Sequence, residues 1–164
     1  MITIGVLSDT HIPERSASIP MEILYGFERA DCIIHAGDIT DGGVIEQLER
    51  IAPVYAVCGN MDGGRLRKML PEKRIVEIGG RRIGVIHGGG SPVNIKKRIY
   101  KVFEYDKVDC IVFGHTHCPE KSFFKQKLFF NPGSATDRRF APQCSFGFLF
   151  IDDDRDIESE IIMI

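Results

Sequence analysis

Residues 2–11 read ITIGVLSDTH, an apolar, β-branched run from Ile2 to Leu7 closed by a polar stop that carries Asp9 and His11. A short run of this composition, bounded by a polar residue, reads as a buried strand. The same design recurs along the chain. Cys32 to Ala36 precedes Gly37-Asp38, Val54 to Cys58 precedes Gly59-Asn60, Ile83 to Ile86 precedes His87-Gly88, and Ile111 to Phe113 precedes Gly114-His115-Thr116-His117. Helical patterns separate the runs: Pro20 to Ala30, Gly43 to Ile51 with Val44, Ile45, Leu48 and Ile51 on one face, and Ile95 to Phe103. Asp41 stands where it would cap the second of these. Strand and helix in alternation predict βαβ units and a largely parallel sheet flanked by helices, an α/β chain.

The pattern changes twice. Arg74 to Ile78 and Arg81 to Ile86 flank Gly79-Gly80, a two-residue loop suited to a hairpin. Beyond Pro119 no helical pattern returns, and Ser122 to Phe124, Leu128 to Asn131, Ser145 to Ile151 and Ile157 to Ile164 read as antiparallel strands, with Asp152-Asp153-Asp154 as a solvated turn. These strands are expected to build a second sheet that packs on the first. At 164 residues the chain suits one domain, 1–164, with a substantial core.

Bulk composition excludes several classes. The formal charge of −2 offers no broad basic field for nucleic acid, so extended nucleic-acid binding is not expected. No apolar run approaches the length of a membrane span, and no cationic, apolar and small-residue leader precedes Ile2. The five cysteines (Cys32, Cys58, Cys110, Cys118 and Cys144) are odd in number and lack Cys-x-x-Cys spacing. They read as core residues in a reducing cytoplasm.

Parallel sheets place ligands beyond the carboxyl ends of their strands, and all five polar stops fall there. Asp9 and His11, two apart, can chelate one ion. Asp38 after a tight Gly turn can bridge two, Asn60 offers a carbonyl oxygen, and His87, His115 and His117 offer imidazole nitrogens. This mixed N/O set suits borderline divalent cations. Two cations about 3.5–4 Å apart would neutralise an anionic phosphodiester and hold an attacking oxygen in line, and a bound water would ionise near neutral pH. Two carboxylates against two dications leave such a site positive.

The ordered set Asp-x-His, Gly-Asp, Gly-Asn, a lone strand-end His and Gly-His-x-His resembles the calcineurin-like metallophosphoesterase superfamily. Its small size is similar to the YfcE-type phosphodiesterase branch, as is the turn Asn131-Pro132-Gly133-Ser134. The resemblance implies a four-layer αββα sandwich of two mixed β-sheets flanked by helices. It also implies one metal held by Asp9, His11, Asp38 and His117, and a second held by Asp38, Asn60, His87 and His115. Manganese is the implied cation, with nickel, cobalt, iron or zinc as alternatives. The implied reaction is hydrolysis of a small phosphodiester by a hydroxide bridging the metals. Where the wider superfamily often has a histidine that assists the leaving group, this chain has Met61, whose thioether transfers no proton. Two alternatives stand beside this reading. One is a phosphomonoesterase or nuclease on the same site; the other is a non-catalytic scaffold like the similar retromer subunit Vps29, with which an apolar Met61 is compatible.

Other residues carry plainer expectations. His35, inside an apolar strand, reads as a hydrogen-bonded core histidine outside the site. Cys118 lies beside the histidine pair with the ligand count already full. Asp62 reads as a cap or solvated loop residue, and Arg138-Arg139 as a solvated charge pair. Gly88, Gly89 and Gly90 could bring backbone amides to a phosphate or simply form a loop. Oligomeric state is left open.

Overall fold

The computed structural model describes residues 1–152 and 156–164. Their elements run β1 (Ile2–Leu7), α1 (Met21–Phe27), β2 (Cys32–His35), α2 (Gly42–Glu49), β3 (Val54–Ala56), α3 (Gly64–Met69), β4 (Lys73–Ile78), β5 (Arg81–Ile86), α4 (Ile95–Val102), β6 (Cys110–Val112), β7 (Glu120–Phe124), β8 (Lys127–Asn131), β9 (Ser145–Ile151) and β10 (Glu158–Met163). Of the expected acidic turn, Asp153 and Asp154 lie outside the described residues. Among the described residues no helix is long and apolar enough to cross a membrane.

The strands form two five-stranded sheets, in the orders β10-β9-β1-β2-β3 and β4-β5-β6-β8-β7. Both are mixed. β1, β2 and β3 pair in parallel, as do β5, β6 and β8, whereas β9, β10, β4 and β7 enter antiparallel. Alternation along each strand then fixes the layers. Ile4, Val6 and Ile34 point into the space between the sheets and meet Val85, Val112 and Phe130. Leu7 and Ile33 point outward against Ile23 and Phe27 of α1 and Leu48 of α2. On the far side, Ile111 and Phe129 pack on Ile95, Ile99 and Phe103 of the α4 segment. Both faces of the inner strands are covered, which is why they read as unbroken apolar runs, and the result is a four-layer αββα sandwich.

Two expectations need correction, and one element was not expected. The ligand-bearing strands do not share one sheet. Gly79 and Gly80, both at positive φ (55° and 71°), close a tight hairpin that seats β5 beside β4, so β5 and β6 found the second sheet. Of the C-terminal strands, β7 and β8 join that second sheet as expected, but β9 and β10 join the first. β9 carries Phe146 and Phe148 on its outer face and Leu149 and Ile151 between the sheets, so it takes an interior place beside β1, with Ile2 opposite Ile151. Finally, α3 had no expectation at all, because its six residues bury only Leu66 and show no apolar stripe. Asp41 caps α2 as expected, its Oδ1 accepting from the Gly43 amide at 2.6 Å. All five cysteines are free; Cys118, expected in the core, is exposed beside His117.

Candidate metal centre

The carboxyl ends of β1, β2 and β3 in one sheet and of β5 and β6 in the other open toward the same end of the sandwich, and short backbone bonds stitch their loops together. The Asp9 and His11 amides donate to the Gly37 and Asp38 carbonyls, and the Gly114 amide donates to the His87 carbonyl. The Ser134 hydroxyl of the Asn-Pro-Gly-Ser turn donates to the Asp9 carbonyl at 2.8 Å. Glycines precede three of the ligand candidates for a steric reason: a Cβ at Gly59 would stand 2.1 Å from Asp38 Oδ1, and one at Gly114 2.0 Å from Ser8 Oγ. Five of the seven candidates adopt the left-handed backbone region, at φ 53° for Asp9, 40° for His11, 54° for Asp38, 70° for His115 and 58° for His117. Non-glycine residues enter that region at a cost, and a cluster of them marks a functional site.

The side chains converge. Asp9 Oδ1 lies 3.2 Å from His117 Nε2, 3.7 Å from His11 Nε2 and 3.8 Å from His87 Nε2. Asp38 Oδ2 lies 3.2 Å from His87 Nε2 and 3.6 Å from His11 Nε2. His115 Nδ1 and Asn60 Oδ1 stand 3.1 Å apart, with the His115 ring edge-on to His87. Among the described residues two groups have metal-holding geometry: Asp9, His11 and His117, and Asp9, Asp38 and His87. The carboxylate common to both is Asp9, whereas the resemblance gave the bridging part to Asp38; Asp38 Oδ2 nonetheless faces a histidine of each group.

Whether these residues suit cations can be tested on their unused lone pairs. Each carboxylate has one oxygen engaged by the protein: Asp9 Oδ2 accepts from the Ser8 hydroxyl and the His115 amide, and Asp38 Oδ1 from the Met61 amide. The other oxygens face imidazole nitrogens. His87 Nδ1 is 2.8 Å from the Ala36 carbonyl and His115 Nε2 is 2.8 Å from the Gly90 carbonyl, so in the neutral rings those nitrogens carry the proton. Their partners, His87 Nε2 and His115 Nδ1, then aim lone pairs at acceptor oxygens. His11 Nε2 and His117 Nε2 face each other at 3.2 Å, and Asp9 Oδ1 and His87 Nε2 are buried without a hydrogen bond. Ligand-type atoms converging on common points, five of the seven side chains being buried, fit cations.

Without a metal the same groups favour a proton on His87 and none on the two carboxylates. Burial alone would raise the Asp9 carboxyl, but His11, His117 and His87 outweigh it and hold Asp9 well below the usual carboxylate range. Asp38 is likewise lowered on balance, burial being opposed by His87 and the Met61 amide. Burial would lower His87, yet Asp38 and Asp9 raise it to about 9.

The model of the calcineurin-like phosphoesterase superfamily domain matches residues 2–154. The chain belongs to that superfamily. A probable metallophosphoesterase of Methanothermobacter thermautotrophicus is 36% identical over 97% of this chain and 91% of its own length. The solved structure of Vps29 from Entamoeba histolytica complexed with zinc is 28% identical, with a TM-score of 0.78 over 99% of each chain. An archaeal phosphodiesterase, 24% identical, shares the fold with a TM-score of 0.75 over 99% of this chain and 100% of its own.

Around the candidate centre of this superfamily member, the structure adds residues whose parts the sequence hid. Asp62 is not solvated. At 3% exposure its carboxylate accepts from four amides, those of Asp38, Ile39, Thr40 and Gly59, and so clamps the β2 loop to the β3 loop. Asp137, also 3% exposed, sets Oδ2 at 3.3 Å from His117 Nδ1, a carboxylate behind a ligand-type histidine. Arg139 is no free surface charge either; it forks onto Asp137 through Nε and Nη2. Asp62, two residues beyond Asn60, was noticed but read as a cap or solvated residue, and no motif marked Asp137. His35 is buried and hydrogen-bonded, its Nδ1 accepting from the Gly37 amide and its Nε2 3.1 Å from Thr10 Oγ1. Burial first of all lowers its pKa to about 3, so it stays neutral. The Cys118 thiol turns away to donate to the Phe140 carbonyl, and of the three glycines Gly90 supplies a carbonyl to His115.

Proposed function

We propose that this chain, acting as one domain, is a dinuclear metal-dependent phosphodiesterase for small substrates. The observation that carries the reading is the convergence of ligand-type atoms: His11 Nε2 and His117 Nε2 stand 3.2 Å apart, and His115 Nδ1, an acceptor in the neutral ring, faces Asn60 Oδ1. Ligand-type atoms gathered so closely are good partners for cations. Asp9, His11, Asp38 and His117 would hold one ion and Asp38, Asn60, His87 and His115 the other, with manganese first and nickel, cobalt, iron or zinc as alternatives. When bound, a pair of dications supplies charge to neutralise the diester and to ionise water near neutral pH.

The remaining work falls to the protein. The Ala36 and Gly90 carbonyls fix the tautomers of His87 and His115, so that each presents a lone pair inward. Asp62 fixes Asp38 and Asn60 relative to each other by holding both loops, and Asp137 orients His117. Water is the nucleophile, and no protein side chain attacks. Met61 supplies only its amide, which donates to Asp38 at 2.7 Å, and its thioether gives no proton to a departing alkoxide. Diesters with good leaving groups are therefore the substrates of choice.

The test is an assay of bis-p-nitrophenyl phosphate beside the monoester, with metal-stripped protein given manganese, nickel or zinc. Diester turnover that requires added metal and is lost in Asp38→Ala and His115→Ala supports the reading; turnover that survives both substitutions refutes it.

A further inference from the structure

The mouth above the histidine cluster is a cavity of about 420 Å³ whose floor includes His11, Asp38, Asn60, His115 and His117. Its walls are unusual for a site that would handle an anion. Met61 and Phe140 both line it, and each is 60% exposed, with Pro92 beside them. Large apolar side chains left in water at the rim of a polar site are what an apolar group of a ligand would cover.

Phe140 is not loosely placed. Its ring packs edge-on against His117, with centroids 5.3 Å apart and planes at 89°, and the Arg139 guanidinium lies 5.4 Å from the ring centre. Arg139 is itself locked by its fork onto Asp137. A ring held in this way loses little freedom when a second ring stacks on it. Met61, which lines the same cavity, is the adaptable counterpart, and a thioether makes favourable contacts with aromatic edges.

The charges at the rim argue against a second anionic group on the ligand. Arg139 and Arg15 both face Asp137, Arg15 at 3.6 Å, and Glu14 adds another carboxylate, bonded to the Thr40 hydroxyl. With both arginines paired to the buried Asp137 and Glu14 beside them, the charge around the mouth is near neutral. What remains to be offered is apolar surface.

We infer that the site selects phosphodiesters carrying an uncharged aromatic group on one ester arm, seated between Phe140 and Met61 while the phosphate lies over the histidine cluster. This rests on the phosphodiesterase reading and narrows its substrate class. An aromatic group stacked on a fixed ring typically adds about tenfold or more in affinity.

The experiment measures dissociation constants of phenylphosphonate and methylphosphonate for the manganese-reconstituted protein by calorimetry, in the wild type and in Phe140→Ala, Met61→Ala and the double variant. The ratio of the two constants within each protein is the readout, so a general loss of affinity does not mimic the effect. Phenylphosphonate binding about tenfold tighter in the wild type, with the ratio collapsing toward one in the double variant, is the expected result. A wild-type ratio near one, or a ratio that the substitutions leave unchanged, overturns the inference while leaving the phosphodiesterase reading intact. If neither phosphonate binds metal-loaded protein, both fall together.

Discussion

The Nδ1 atom of His115 stands 3.1 Å from Oδ1 of Asn60, while Nε2 of the same ring is committed to the Gly90 carbonyl at 2.8 Å. In the neutral ring two acceptors therefore face each other, and neither can satisfy its partner. A cation between them would relieve the conflict. On this account, Asn60→Ala and His115→Ala each lower the bound metal from two ions per chain toward one, measured by elemental analysis after dialysis, whereas Asp38→Ala lowers both. Two ions retained in His115→Ala would contradict the ligand set.

Metal uptake should release a proton. In the metal-free protein burial works to lower His87, but Asp38 and Asp9 raise its pKa to about 9, and a cation needs the neutral ring. Affinity for manganese is expected to rise with pH by about tenfold per unit between roughly pH 7 and 9. Titration in two buffers of different ionisation enthalpy measures the released proton directly. The same raised pKa fixes the sign for stability: the charged His87 stabilises the metal-free fold fully below about pH 6.5, and that contribution is lost as pH rises through 9. Asp9 and Asp38 act in the opposite direction, their lowered pKa values giving a contribution present above about pH 4 and lost in acid.

The left-handed backbone at His11 predicts a split between two substitutions that both delete the imidazole. At φ 40°, alanine keeps the conformational cost and glycine removes it. His11→Gly should be more stable than His11→Ala by about 1 kcal/mol, or about 2–4 °C in melting temperature. Equal melting temperatures would show that the loop relaxes out of this conformation once the side chain is gone.

Asp62 is a structural clamp with a functional reach. Its removal strands four amides, three of them buried and costing about 1–3 kcal/mol each when left unpaired, with part of the loss recovered by entering water. Asp62→Ala is expected to destabilise by at least about 3 kcal/mol in urea unfolding, and Asp62→Asn, which keeps one acceptor oxygen, by less.

Asp137→Asn tests the carboxylate behind His117. Loss of that charge should weaken metal binding by about 10–100-fold while leaving the melting temperature of the metal-free protein within a few degrees. An unchanged metal affinity would reduce Asp137 to a partner for Arg139.

How much of this was legible in the sequence follows from what each residue depends on. The strand ends at Asp9, Asp38, Asn60, His87 and His115 were readable because a buried strand writes itself as a local apolar run, and the polar stop after it is local too. Sheet membership was not, since it depends on pairing between distant segments. The Gly79-Gly80 hairpin was visible, but its consequence, that β5 and β6 leave the first sheet, is a matter of topology. Nor did the sequence reveal that β9 pairs with β1 from the other end of the chain. Asp62 was read only as a cap or solvated residue and Asp137 was not read at all, for a related reason. Each looks like an ordinary loop aspartate, and only the fold brings four amides to one and a histidine to the other.

We propose that two divalent cations at this cluster serve phosphodiester hydrolysis. The most direct measurement is the rate of bis-p-nitrophenyl phosphate hydrolysis by metal-stripped protein titrated with manganese, run beside Asp38→Ala. The account predicts no activity without metal, activity that saturates at two ions per chain, and loss of at least about a hundredfold in Asp38→Ala. Stoichiometric metal binding with no ester turned over, for any of manganese, nickel, cobalt, iron or zinc, would contradict it and favour a scaffold.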